Sequence, residues 1–303
     1  MRGQPPGRKI VVGVDGSEQA LLAVRWAAAE AECRDVPLRL VSALASVPED
    51  SIVQSRLRER YRENLLERTE VRLRAAVAVV QRENPTVEID HQVMVGSPHA
   101  VLRCEARHAQ FVVVGDGGLR QVEGLHTGSV TVALAAQAAC PVVVVRGIEQ
   151  APSAVPSLPV VVGVDGSPTS AEAVAFAFEA AAARQVPLVA VHTWWNLLPE
   201  SASALPYDWD AIQADARQLL AELLAVWAEK YSDVRVECVV TRGHPARSLL
   251  EEAAGARLVV VGSRGWSESA GSFLGSVSTL LLHHAPCPVA VVPSPEGDDQ
   301  DAP

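Results

Sequence analysis

Cysteine is scarce and scattered. Cys33, Cys104, Cys140, Cys238 and Cys287 are the five in 303 residues, odd in number and without a C-x2-C pair. Neither a disulfide framework nor a zinc site is indicated, and the five are expected to be small buried or half-buried apolar residues. Long apolar runs are missing too: the longest are strand-sized pieces or alanine-rich helix faces, short of the roughly 20 residues a membrane helix requires. The basic N-terminal octet is not followed by an apolar segment of signal-peptide form, so a cytoplasmic location and no membrane partner are expected. Positive charge is in deficit, with 26 Lys and Arg against 36 Asp and Glu and a net charge of −10. That argues against nucleic acid or an anionic membrane as partner, but a phosphate site built from backbone amides can still work locally. Dedicated catalytic apparatus is also lacking. No Ser/His/Asp triad or paired carboxylates stand out, and His108, His126 and His244 have no assignable nucleophile partner. His283 and His284 would point about 100° apart on a helix and cannot readily chelate one ion, so no catalytic residue and no metal ligand is assigned.

What the chain does have is a duplication. The spacing G-x2-G-x9-G-S occurs as Gly115, Gly118, Gly128, Ser129 and again as Gly262, Gly265, Gly275, Ser276, each time after an apolar run, Phe111-Val112-Val113-Val114 or Leu258-Val259-Val260-Val261. Val11-Val12-Gly13-Val14-Asp15-Gly16-Ser17 returns as Val161-Val162-Gly163-Val164-Asp165-Gly166-Ser167. A repeat of about 150 residues means two whole domains rather than a solenoid. Domains are expected at residues 1–147 and 158–295, joined by a linker over 147–159 that holds three prolines and two serines. The acidic end, Glu296 to Asp301, is expected to be disordered.

Alternating periodicity predicts strands at about 9–14, 37–43, 86–95, 110–115 and 141–146, with helices at about 18–34, 55–83, 98–109 and 128–139. The second half predicts strands at about 159–164, 187–193, 233–241, 257–262 and 287–292, with helices at about 168–184, 208–230, 245–256 and 275–285. Nearly continuous valine runs mark the first, fourth and fifth strands as central parallel strands. The third alternates apolar and charged residues and belongs at an edge. The fold class is therefore α/β, as two tandem doubly wound, five-stranded, Rossmann-like parallel sheets.

In such sheets ligands bind beyond the carboxyl ends of the strands where the winding reverses. The Asp-Gly-Ser loop after the first strand and the Gly-x2-Gly loop after the fourth flank one crevice if those strands are neighbours. Backbone amides of a glycine loop together with Gly-Ser opening a helix form a phosphate cradle. Each feature also has a purely structural reading. Glycines after a buried strand permit tight turns or close helix packing, and Asp15 and Asp165 can serve simply as helix caps. Trp194 and Trp195 are read first as packing or interface residues.

The conjunction of V-G-V-D-G-S, G-x2-G-x9-G-S-V and the terminal Cys140-Pro141-Val142 and Cys287-Pro288-Val289 segments resembles the universal stress protein family, over almost the entire chain and in two copies. The resemblance implies strand order 3-2-1-4-5 and, in the ATP-binding branch, ATP at the switch point, with Mg2+ as an option. Carried over, Asp165 lies near ribose and adenine, Val261 and Gly262 beside the ribose, and Gly265, Gly275, Ser276 and Val277 around the phosphates. The first-half counterparts are Asp15, Val114, Gly115, Gly118, Gly128, Ser129 and Val130. Adenine would meet backbone near Ser42-Ala43 or His192-Thr193. The resemblance further implies association through fifth-strand edges, satisfied within the chain as a pseudo-dimer, with a homodimer and an unidentified protein partner also open.

The copies differ. Gly262-Ser263-Arg264-Gly265 offers a hydroxyl and a cation near phosphate where Gly115-Asp116-Gly117-Gly118 offers a carboxylate, so the second half is expected to bind nucleotide better, with Arg120 or magnesium as compensation in the first. The expected function is an adenine-nucleotide-binding regulatory protein of the stress response, with at most slow ATP hydrolysis. The alternatives are an adaptor with a vestigial crevice, a binder of AMP or cyclic AMP, and a true ATP-consuming enzyme.

Overall fold

The structure of the chain, a computed structural model, describes residues 8–45, 55–117, 129–146, 158–194, 209–265 and 274–294. Gly118, Arg120, His126, Gly128, Trp195, Ser272, Phe273, linker residues 147–157 and the acidic end lie outside the described residues. The chain forms two compact units, residues 1–149 and 150–303.

Unit one runs β1 (Lys9–Gly13), α1 (Glu18–Arg34), β2 (Leu38–Leu44), α2 (Ser55–Glu83), β3 (Ile89–Val95), α3 (Pro98–Ala106), β4 (Ala109–Gly115), α4 (Ser129–Gln137), β5 (Val142–Val145). Its strands pair in parallel in the order β3-β2-β1-β4-β5. Helix α1 packs against α2, and α3 against α4, so the sheet is covered on both faces. Unit two repeats the plan with β6 (Val160–Gly163), α5 (Pro168–Arg184), β7 (Leu188–Trp194), α6 (Trp209–Lys230), β8 (Val236–Arg242), α7 (Pro245–Ala253), β9 (Leu258–Gly262), α8 (Ser276–His284) and β10 (Val289–Val292). Its order is β8-β7-β6-β9-β10, again parallel.

The central strands are buried because they are valine on both faces. Val112, Val113, Val142, Val143, Val259 and Val260 are each 0% exposed, and each such side chain contributes about 1.5–3 kcal/mol of transfer free energy. Small residues let helix α1 lie close to the sheet: Ala20, Ala23, Ala27, Ala28 and Ala31 are buried along it. It ends at Asp35, whose φ of 52° is left-handed and whose N–H returns to the carbonyls of Ala31 and Glu32. Gln185 closes α5 in the same way at φ 54°.

The edge positions of β3 and β8 match their mixed composition, but both strands start later than the alternation suggests. Val87 and Val234 precede them, because their N–H groups donate to Asn84 and Tyr231 in the turn that closes the preceding helix. Helices α3 and α7 end at Ala106 and Ala253, short of 109 and 256. His108 N–H donates to Glu105 and Ala256 N–H to Ala253, so each helix finishes in a tight turn before the fourth strand. Burial corrects the expectation for the thiols: Cys33, Cys104 and Cys238 are exposed, and of the five only Cys140 and Cys287 are buried. The exposed three lie on outward positions of helices α1 and α3 and of the edge strand β8. Among the described residues no helix is long and apolar enough to cross a membrane.

Candidate functional site

In unit two the loop after β6 turns at Gly166, whose φ of 81° is open to glycine at no steric cost. The turn brings Asp165 Oδ1 within 2.9 Å of Ser167 N–H, which donates to it. Ser167, not Asp165, is the N-cap of α5: its hydroxyl accepts from Ser170 N–H at 3.1 Å. Asp165 therefore braces the cap while its other oxygen, Oδ2, faces the loop after β9. A Cβ built on Gly265 would stand 2.6 Å from that oxygen. The two loops meet, as neighbouring first and fourth strands require.

The glycines of the second loop divide by role. Gly262 lies under α5, where an added Cβ would come 2.7 Å from Thr169 Cγ2, so it serves close helix packing. Gly275 is different. Its φ is −65°, and the nearest atom to an added Cβ is Ser263 O at 3.4 Å, an ordinary contact. The fold has no need of glycine there. Gly275 is the N-cap of α8 and makes no side-chain cap hydrogen bond, and among the described residues nothing accepts from the first-turn amides at Ser276 and Val277. Ser278 Oγ, further along the same turn, donates to Gly262 O at 2.7 Å, tying α8 to the end of β9. Gly275 N–H donates to Ser263 O at 2.8 Å and closes the loop. Of the two side chains that distinguish this loop, Arg264 is exposed and Ser263 is buried. Asp165 and Gly265 thus lie on two converging loops, Val261 and Gly262 at the end of β9, and Gly275, Ser276 and Val277 at the N-terminus of α8, where backbone amides can meet an anion.

Unit one builds the same frame. Asp15 Oδ1 accepts from Ser17 N–H at 2.9 Å and from Ser17 Oγ at 2.6 Å, and Gly16 has φ 87°. Thr131 Oγ1 donates to Gly115 O at 3.2 Å, the counterpart of Ser278. Gly115 packs against α1, with an added Cβ 2.7 Å from the Gln19 carbonyl carbon. Val114 is buried and Val130 half-buried; Ser129 opens α4. Two features here escaped the sequence reading. Asp116 is within 3.8 Å of Arg146 Nε at the end of β5, so its charge is partly answered by a near-buried guanidinium. Arg72 reaches over from α2: its Cδ would lie 2.5 Å from a Cβ on Gly16, and Nη1 donates to Asp15 O at 3.4 Å. The signal for Arg146 was its place just after the strand that pairs with β4.

Ser42 Oγ donates to Val14 O at 2.6 Å, and His192 Nδ1 to Val164 O at 2.8 Å, so the ends of β2 and β7 are fastened to the first-strand loops in both units. Trp194, the last residue of β7, stacks beneath the Arg242 guanidinium at 5.8 Å. A cavity of about 320 Å³ lies elsewhere, lined by Lys9, Val11, Arg39, Glu105 and His108. Its charges are mutually paired. Arg39 binds Glu105 through Nε and Nη2 and Asp90 through Nη1, and Lys9 binds Asp90 at 2.8 Å. The Glu105 hydrogen bond raises the Arg39 pKa, and the Lys9 hydrogen bond holds Asp90 below its ordinary value. This is an ion-pair network of the fold.

Two parallel α/β units, each wound in the order 3-2-1-4-5 with glycine loops beyond the carboxyl ends of its first and fourth strands, define the class of fold as doubly wound α/β. The universal stress protein family model matches residues 7–146 and 158–293. A universal stress protein of Mycolicibacterium smegmatis is 39% identical over 290 residues, 93% of this chain and 96% of the relative. One from Mycobacterium tuberculosis is 37% identical over 295 residues, 93% of this chain and 95% of the relative. The crystal structure of a universal stress protein from Archaeoglobus fulgidus superposes with a TM-score of 0.68 at 17% identity, over 96% of this chain and 100% of that one, and shares the fold. The chain belongs to the universal stress protein family, in its tandem two-domain form, and that membership supports a role in the stress response.

Proposed function

We propose that the chain is an adenine-nucleotide-binding regulatory protein, with ATP as the ligand of the unit-two crevice. The observation that carries this is the open N-terminus of α8 at Gly275, set beside the contact between Asp165 and Gly265. Asp165 would hold the ribose, Val261 and Gly262 its flank, and Gly265, Gly275, Ser276 and Val277 the phosphates through backbone amides and one hydroxyl. Mg2+, if it accompanies ATP, would be held by phosphate oxygens and water. Occupancy would alter contact with a protein partner. Unit one would bind more weakly through Asp15, Val114, Gly115, Gly118, Gly128, Ser129 and Val130, because Asp116 adds a carboxylate. The alternatives are AMP or cyclic AMP in the same crevice and an adaptor whose first site is vestigial.

Mass spectrometry of the ligand released on denaturing gently purified protein tests the reading, together with calorimetric titration of ATP. ATP in the released fraction and saturable titration are expected. Absence of any adenine nucleotide in both measurements would overturn it.

A further inference from the structure

Helix α6 of unit two buries one apolar stripe and exposes a second. Leu220 and Leu224 are buried in the core, whereas Leu219, Leu223 and Val226 are 52%, 42% and 73% exposed. With about 100° between successive residues, these three fall within about 60° of one another and form a ridge about two turns long. They are three of the eight large hydrophobic side chains exposed among the described residues, so the exposure is concentrated rather than scattered. The fold does not require it. Residues 84–88 separate α2 from β3 in unit one as 231–235 separate α6 from β8, so the same three positions on α2 are Arg72, Ala76 and Val79. None of those is exposed.

The charges at the two ends of the ridge are opposite. Asp215 stands one turn before Leu219 and Lys230 one turn after Val226, on the same side of the helix, and both are exposed. Neither is ion-paired among the described residues. The Lys230 ammonium is held at the helix end by the ring faces of Trp227 and Tyr231, whose centroids lie 4.9 and 4.7 Å from Nζ. When α6 is laid antiparallel on a copy of itself, with the twofold axis between Glu222 and Leu223, Leu219 falls opposite Val226 and Asp215 opposite Lys230. Each pairing occurs twice, and the two helix dipoles oppose. A parallel arrangement would set Asp215 on Asp215 and Lys230 on Lys230. The face is therefore complementary to itself in the antiparallel sense.

We propose that this face of α6 is an interface between two copies of the chain, which associate by antiparallel packing of α6 on α6. Covering the Leu219, Leu223 and Val226 ridge supplies the attraction, and the Asp215 and Lys230 charges select the orientation. A twofold contact of this kind closes at the dimer. One helix from each copy makes a small interface, so the association is reversible. It stands independently of the nucleotide reading.

Sedimentation of the full-length chain over a concentration series tests the proposal. The wild type should show a reversible monomer–dimer equilibrium. Val226→Glu should weaken it about tenfold or more, since a charge replaces apolar surface at two symmetric places. Asp215→Lys and Lys230→Asp should each weaken self-association about three- to tenfold. Mixing those two variants should restore the dimer, because each then carries the charges that the other lacks. Circular dichroism and melting temperature confirm that these exposed substitutions leave the fold intact. A wild type that stays monomeric throughout means that another partner, or none, covers the face, and the proposal fails. It fails equally if the dimer is indifferent to Val226→Glu, or if the mixture associates no better than either variant alone.

Discussion

Asp165 and Gly265 stand so close across the unit-two crevice that a Cβ on the glycine would lie 2.6 Å from the carboxylate Oδ2. The atom in the way is the end of a side chain, so Gly265→Ala is expected to displace Asp165 and leave the fold intact. ATP affinity should fall about tenfold or more, the loss of roughly one charge-assisted hydrogen bond. Calorimetric titration reads the affinity, and an unchanged melting temperature separates this effect from unfolding.

Gly275 and Gly262 should behave oppositely under the same substitution. At Gly275 the fold has room for a Cβ, with the nearest atom at 3.4 Å, so Gly275→Val should fold normally and lose most ATP binding by blocking the approach to the α8 amides. At Gly262 the Cβ would meet Thr169 Cγ2 at 2.7 Å, and Gly262→Val should destabilise the protein by about 1–3 kcal/mol through overpacking. Chemical denaturation of both variants, set beside titration, checks the contrast. Normal stability of Gly262→Val would mean that α5 yields.

Arg146 modifies the expected weakness of unit one. With its guanidinium near Asp116 at 3.8 Å, the loop carries less repulsion than the sequence of Gly115 to Gly118 suggests. Asp116→Asn should raise the ATP affinity measured in a Gly275→Val chain, and Arg146→Met should lower it. Both effects should shrink as salt is raised, since they are electrostatic. Tighter binding after Arg146→Met would place the charge effect elsewhere.

The strands were legible because valine on both faces has one reading, and the Asp-Gly-Ser loops because their glycines sit between an apolar strand and a helix-capping serine. The role of each loop glycine was not legible. Gly262 owes its identity to Thr169, about ninety residues earlier in the chain, and Gly115 to Gln19, about a hundred earlier; such contacts exist only once β4 lies beside β1 and β9 beside β6. Arg146 was hidden for the same reason, since thirty residues separate it from Asp116. The cysteines misled because small apolar character says nothing about which side of a helix or edge strand faces outward. Strand order came from family resemblance, and the pairing registers then set the two crevices side by side for comparison.

The five thiols should divide in reactivity. Cys33, Cys104 and Cys238 are exposed, and burial pushes the Cys140 thiol up to about 12, far above neutral, so almost none of it is thiolate. Cys287 is likewise buried. Native protein treated with an aromatic disulfide reagent near pH 8 should show Cys33 and Cys104 as fast thiols and Cys238 as a slower one, because partial burial raises its pKa, and all five should react in denaturant. Fast reaction of Cys140 in the native state, read by peptide mapping, would mean that the end of α4 and β5 opens readily.

ATP hydrolysis, where it occurs, should be slow. Rapid phosphoryl transfer needs an oriented nucleophile and concentrated positive charge on the transferring group. The unit-two crevice offers amides at the α8 terminus and one exposed cation, Arg264, with no lysine in either glycine loop of the P-loop kind. Asp165 is committed to Ser167 N–H at 2.9 Å, on the side of the crevice that would hold ribose, and does not supply a base at the far phosphate. Steady-state release of phosphate from magnesium-ATP should therefore stay well below about 1 per second, the low end of ordinary enzyme turnover. Arg264→Gln should alter that rate less than Gly275→Val does, because Gly275→Val removes the bound nucleotide itself whereas Arg264 is one exposed cation at its edge. A wild-type turnover above that level, abolished by Gly275→Val, would reveal a catalytic group outside the two loops and would overturn the regulatory reading of the crevice.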